Sequence, residues 1–122
     1  MAMRLLHMAQ FLRKKGPIAS KEQFVACARQ IASDGQVVVR FGHILAKQCQ
    51  DQRCSRELLR ACEHTHTLSS QLGIVARVKA VTGESRASSE LLLSNTQSLV
   101  RAVRHVLRAA EAASVTLPSM AN

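Results

Sequence analysis

Residues 50–81, QDQRCSRELLRACEHTHTLSSQLGIVARVKAV, read as one long helix that carries two apolar surfaces. At about 100° per residue, Cys54, Leu58, Ala61, Thr65, Leu68, Leu72 and Ala76 fall on one side, the stripe a helix buries against its neighbours. Ile74, Val78 and Val81 also recur at helical spacing, but they point roughly away from Leu72, into the sector where earlier turns place Arg60, Glu63 and Thr67. A bundle helix needs only one core face. The second patch is therefore either covered by a further helix or exposed to meet a partner.

The rest of the chain suits such a bundle. Its 122 residues are enough for one domain, 1–122, with a core that needs no staples. Apolar residues make up 47% and aromatics 2%, with few Gly and Pro, which is a helical composition rich in Leu, Ala, Val and Ile. Seventeen Lys and Arg against eight Asp and Glu give a net charge of +9, so acidic partners are expected: a phospholipid surface, an acidic protein or filament, or nucleic acid. Cys27, Cys49, Cys54 and Cys62 lie in or beside periodic apolar positions, which points to reduced core thiols in a cytosolic protein. The N-terminus has no signal-peptide pattern, and no run of 18 apolar residues occurs, so neither secretion nor a membrane span is expected.

Four helices are expected, at about 2–15, 21–48, 52–81 and 88–114, with 115–122 as a frayed tail. The first carries Leu5, Met8 and Leu12 and ends in Arg13, Lys14, Lys15, Gly16 and Pro17: cations, a glycine stop and a proline. It is short beside the other three. Ser20 and Gln23 form a capping-box pattern ahead of a second helix whose inward heptad is Phe24, Ala28, Ile31, Gly35, Val38, Gly42 and Leu45, with glycines where another backbone approaches. Its outward row, Arg29, Ser33, Gln36, Arg40, His43 and Lys47, is a basic ladder that suits a solvated face or a ligand surface equally. Asp51 is the expected N-cap of the third helix, and the short link before it implies antiparallel neighbours. Thr82 to Ser85 supply the last turn, and the fourth helix turns Leu92, Thr96, Leu99, Val103, Val106, Ala110 and Ala113 inward while Arg101, Arg104, His105 and Arg108 face out. The fold expected is an all-α, antiparallel up-and-down four-helix bundle with a shortened first helix.

No spacing in the chain suits catalysis: there is no phosphate loop, no nucleophile elbow and no acid pair set in a pocket. The chain reads as a non-enzyme without a cofactor. Cys49, Cys54, Cys62, His64 and His66 include no C-x-x-C pair, and residues 62, 64 and 66 diverge around a helix, so no metal is assigned. The near absence of aromatics for base stacking argues against nucleic acid.

Several stretches carry a resemblance. AKQC at 46–49, Asp51, Arg53, Leu58 and Leu59, CE at 62–63, SSQL at 69–72, VKA at 78–80 and EAAS at 111–114 resemble the C-terminal tail domain of the vinculin and α-catenin superfamily, on its vinculin side. KGP at 15–17 and the Cys49 and Cys54 pair are similar to the α-catenin side. In order, these matches span nearly the whole chain. The resemblance implies an F-actin-binding helical module of a cytoplasmic adhesion or junction protein, with acidic phosphoinositides as a second partner. It implies actin contact at Ile74 and Val78, to which Val81, in the same patch, and His64 are added as candidates. It implies a basic lipid surface at Arg29, Arg40, Lys47, Arg104 and Arg108, which Arg101 extends. The chain departs from the family pattern in lacking the N-terminal half of the first helix, in carrying TLPSMAN where the family has an aromatic C-terminal arm, and in placing Gly73 where the family has Lys. Two other readings stay open: a bundle that packs against other domains of a scaffold, burying Ile74 and Val78 in that contact, and a peripheral lipid-binding module without actin affinity.

Overall fold

The fold was taken from a computed structural model, which describes residues 1–14, 16–18, 20–81 and 86–115. Four helices follow one another: α1 (Ala2–Leu12), α2 (Lys21–Gln48), α3 (Gln52–Val81) and α4 (Arg86–Val115). No strand occurs among the described residues. α2, α3 and α4 pack against one another, and α1 lies on α2 and α4. The expected turn at 82–85 and the tail at 116–122 fall outside the described residues.

The helix starts follow their caps. Ser20 is extended at φ −140 and its Oγ accepts from the Gln23 amide at 3.2 Å. Asp51 Oδ1 accepts from the amides of Arg53 at 2.9 Å and Cys54 at 3.4 Å, which satisfies first-turn donors of α3.

The helix expected over 2–15 stops at Leu12. The amides of Arg13 and Lys14 bond back to the carbonyls of Gln10 and Phe11, and Lys14 enters the left-handed region at φ 58, ahead of Gly16 at φ 86. The early reversal brings Phe11 onto Phe24, with ring centroids 4.9 Å apart. Gly16 is required there, because a β-carbon would lie 2.5 Å from Gln10 Oε1.

The core follows the helical stripes with two corrections. In α4 all seven expected positions are buried. In α2, Val38 and Leu45 are only half-buried, and Val39 and Ala46 take their places. The buried set Phe24, Ala28, Ile31, Gly35, Val39, Gly42 and Ala46 repeats every eleven residues, so this helix keeps about 3.67 residues per turn and drifts off a strict heptad. In α3, Cys54 and Leu68 are half-buried and Ser69 is buried, because α2 comes close on that side. A β-carbon on Gly35 would sit 2.5 Å from Ser69 Oγ, and one on Gly42 would overlap the Cys62 thiol. The glycines set this interhelical distance. Thr65 and Thr96 are fully buried with their hydroxyls donating to the carbonyls of Ala61 and Leu92, each at 2.8 Å.

The core has two halves. One joins α1 to the first half of α2, the second half of α3 and the first half of α4 through Met8, Phe24, Ile31, Leu72, Leu92 and Leu99. The other is built by three helices alone, around Val39, Leu58, Cys62, Val106 and Ala110. Arg4 ties α1 down with a 2.9 Å ion pair to Asp34, which also accepts from Gln30. α1 is too short to reach the second half. Val37, Phe41 and Ile44 on α2 and Leu107 on α4 are accordingly 45–59% exposed.

Candidate interaction surface

α3 presents its outward face between α2 and α4. Leu72 and Ala76 are fully buried, and the two-residue step from Leu72 to Ile74 turns the side chain about 200° around the axis. Ile74 is 58% exposed, Val78 53% and Val81 86%. No helix among the described residues covers this patch. Gly73, beside it, faces open space: nothing lies within 4 Å of where its β-carbon would be.

His64 does not join these three. It precedes Ile74 by ten residues, about 15 Å along the axis at roughly 1.5 Å per residue. There it lines an open cleft with Leu68 and with Ser98, Arg101, Ala102 and His105 of α4. His66, two residues on, points to the other neighbour and pairs with Gln36 of α2 at 2.9 Å. The two histidines thus diverge, as their spacing requires.

The basic rows flank α3 on its two sides. Arg29, Arg40 and Lys47 are exposed on one face of α2, the face whose Gln36 reaches His66. Near the end of α3, Arg29 and Lys21 line a groove with Ala80. Arg101, Arg104 and Arg108 are exposed on α4, with Arg101 in the cleft beside His64. The structure therefore sets the α2 row and Arg101 on opposite flanks of the Ile74 helix.

Two features were missed by sequence reasoning. Lys79, in an otherwise basic helix end, is 3% exposed, and its Nζ donates to Ser88 Oγ at 2.9 Å, joining the end of α3 to the start of α4. The i, i+4, i+7 spacing of Leu72, Ala76 and Lys79 was the available signal. The exposed row Val37, Phe41 and Ile44 also has helical spacing, but it lies beside Val38 and Leu45 and was masked by them.

Desolvation acts on three of the four thiols. No cysteine is in a disulfide, and burial pushes the Cys27 and Cys62 thiols up from 9.0, Cys27 despite Arg4 nearby. Desolvation and the Asp51 carboxylate raise Cys54 as well. A raised thiol is a poor nucleophile. The surface offers binding geometry: an apolar patch bordered by cations.

A model of the Vinculin family matches residues 1–121. This chain belongs to the vinculin family. It is 38% identical to vinculin of Drosophila melanogaster over 106 residues, which cover 82% of this chain and 11% of the fly protein. It is 35% identical to vinculin of Rattus norvegicus over 125 residues, 96% of this chain and 12% of the rat protein, and 34% identical to vinculin of Xenopus laevis over 125 residues, 96% of this chain and 52% of that relative. The chain thus spans about half the length of one of these vinculins and a small part of the other two. Vinculin-family membership makes it a domain of the cytoskeletal adhesion type, from a family of structural adaptors. No helix among the described residues is long and apolar enough to cross a membrane.

Proposed function

We propose that this domain binds filamentous actin through the outward face of the C-terminal half of α3, as part of a vinculin-like protein that links adhesion or junction complexes to the cytoskeleton in the cytoplasm. One observation carries the reading: Ile74, Val78 and Val81 form an exposed apolar patch on a helix whose opposite face is already fully used by the core. An uncovered patch of this kind on a basic domain suits a large acidic partner. F-actin co-sedimentation of the wild-type chain and of the Ile74→Ala, Val78→Ala double variant tests the proposal. Wild-type protein left in the supernatant would overturn it.

A second partner is favoured by the rows Arg29, Arg40, Lys47 and Arg101, Arg104, Arg108. Their exposed cations suit acidic phospholipid headgroups at a membrane surface.

A further inference from the structure

We propose that Cys49 and Cys54 form a redox modification site, closed by peroxide into a reversible disulfide that staples the turn between α2 and α3. Both residues are half-buried at the edge of the three-helix half of the core. Cys49 is the C-cap of α2 and Cys54 stands in the first turn of α3, with Asp51 capping that turn between them. Two backbone oxygens fold the turn onto itself. Ala46 O accepts from the Cys49 amide at 3.3 Å and from the Ser55 hydroxyl at 3.0 Å, while Asp51 O accepts from the Cys49 thiol at 3.4 Å and from the Ser55 amide at 2.9 Å. Cys49 and the residue next to Cys54 are thus held to the same two acceptors. The Cys54 amide donates in turn to Asp51 Oδ1 at 3.4 Å. Desolvation, the Asp51 carboxylate and the Cys49 thiol all push the Cys54 thiol up, so the two sulfurs lie within each other's field. Neither Cys27 nor Cys62 has another thiol acting on it.

The environment assigns the order of steps. Cys54, whose proton is held more tightly than usual, is the resolving thiol, and Cys49 attacks first. Its thiolate takes one oxygen of hydrogen peroxide, the O–O bond breaks, and the other oxygen leaves as hydroxide and is protonated to water; Cys49 is then a sulfenic acid. Cys54 displaces the hydroxyl from Cys49: the S–S bond forms, the S–O bond breaks, and the hydroxyl leaves as water with the Cys54 proton. Two thiols and one peroxide thus become one disulfide and two waters, with each sulfur giving up one electron. In a reducing compartment such a link is transient, which suits a sensor. It also adds stability in the half of the bundle that α1 does not reach, because closing a loop removes freedom from the unfolded chain. The site depends on neither the filament nor the lipid reading.

Oxidation of the whole chain with hydrogen peroxide, followed by alkylation and tryptic peptide mapping, tests the site. Cleavage after Lys47, Arg53 and Arg56 puts the two cysteines on separate peptides, QCQDQR and CSR, so the link appears as a joined pair two hydrogens lighter than its parts. The expected product is a monomer that has lost two of its four thiols and melts several degrees higher, with dithiothreitol restoring the starting value. Mixtures of reduced and oxidised glutathione should give a single two-electron transition. Cys49→Ser and Cys54→Ser should each abolish the rise in melting temperature, and Cys27→Ser should leave it intact. The wild-type peptide map decides the pairing even where a variant folds poorly. A link through Cys27 or Cys62, a bond between two chains, or a Cys49 that stops at sulfinic acid or at a mixed glutathione disulfide would overturn the site. A Cys49–Cys54 link that leaves the melting temperature unchanged would overturn the staple.

Discussion

Leu72 and Ile74 stand two residues apart on α3 and face opposite ways, one with no exposed surface and the other 58% exposed. Truncating each therefore has different consequences. Leu72→Ala empties part of the four-helix half of the core and is expected to destabilise by about 2–5 kcal/mol. The Ile74→Ala, Val78→Ala pair is expected to change stability by about 1 kcal/mol or less while lowering F-actin co-sedimentation at least several-fold. Thermal melts and pelleting of both variants decide the matter. A double variant that unfolds like Leu72→Ala would mean that the patch is core.

The glycines of α2 and α3 are expected to respond with opposite signs. Gly73 has no neighbour within 4 Å of a β-carbon, so Gly73→Ala should gain about 0.5–1 kcal/mol from helix propensity. Gly42 is pressed against Cys62, with Val106 Cγ1 3.5 Å from the β-carbon position, so Gly42→Ala should destabilise by about 1–3 kcal/mol through overpacking. Urea unfolding curves for the two variants give the comparison directly.

Cys62 should make stability fall at alkaline pH. Burial raises its thiol above 9.0 in the folded chain, so the folded state holds the proton more tightly than the unfolded one. That contribution is complete below pH 9.0 and is lost as the pH rises through the higher folded value. The stability gap between wild type and Cys62→Ala should therefore narrow as melts are taken from neutral pH upward through this range. A constant gap would show that the thiol stays out of the linkage.

Liposome pelleting should separate the two basic rows. Neutralising Arg29, Arg40 and Lys47 to Gln, or Arg101, Arg104 and Arg108 to Gln, removes up to about 1 kcal/mol per residue held close to an anionic surface. Because the α2 row and Arg101 flank opposite sides of α3, one row is expected to dominate binding to a flat membrane. Both effects should fade at high salt. Equal binding to neutral vesicles would rule out an electrostatic mode.

Much of this molecule is legible along a single helix at a time. The caps at Ser20 and Asp51, the full inward set of α4 and the exposed direction of Ile74 and Val78 all follow from local chemistry and a period near 3.6, which act within a few residues. What depends on neighbours did not follow from the sequence. Only packing shows that α2 runs on an eleven-residue repeat and buries Val39 in place of Val38, since a small change of twist is chosen by the approach of Gly35 and Gly42 to α3. The chain must turn after Leu12 for Phe11 to stack on Phe24, and α1 then spans half the bundle and leaves Phe41 exposed. His64 and Ile74 look like one surface in a linear reading, yet ten residues of helix separate them and α4 claims His64 for its own cleft. Periodicity states which way a side chain points; only the neighbouring helices decide what it meets there.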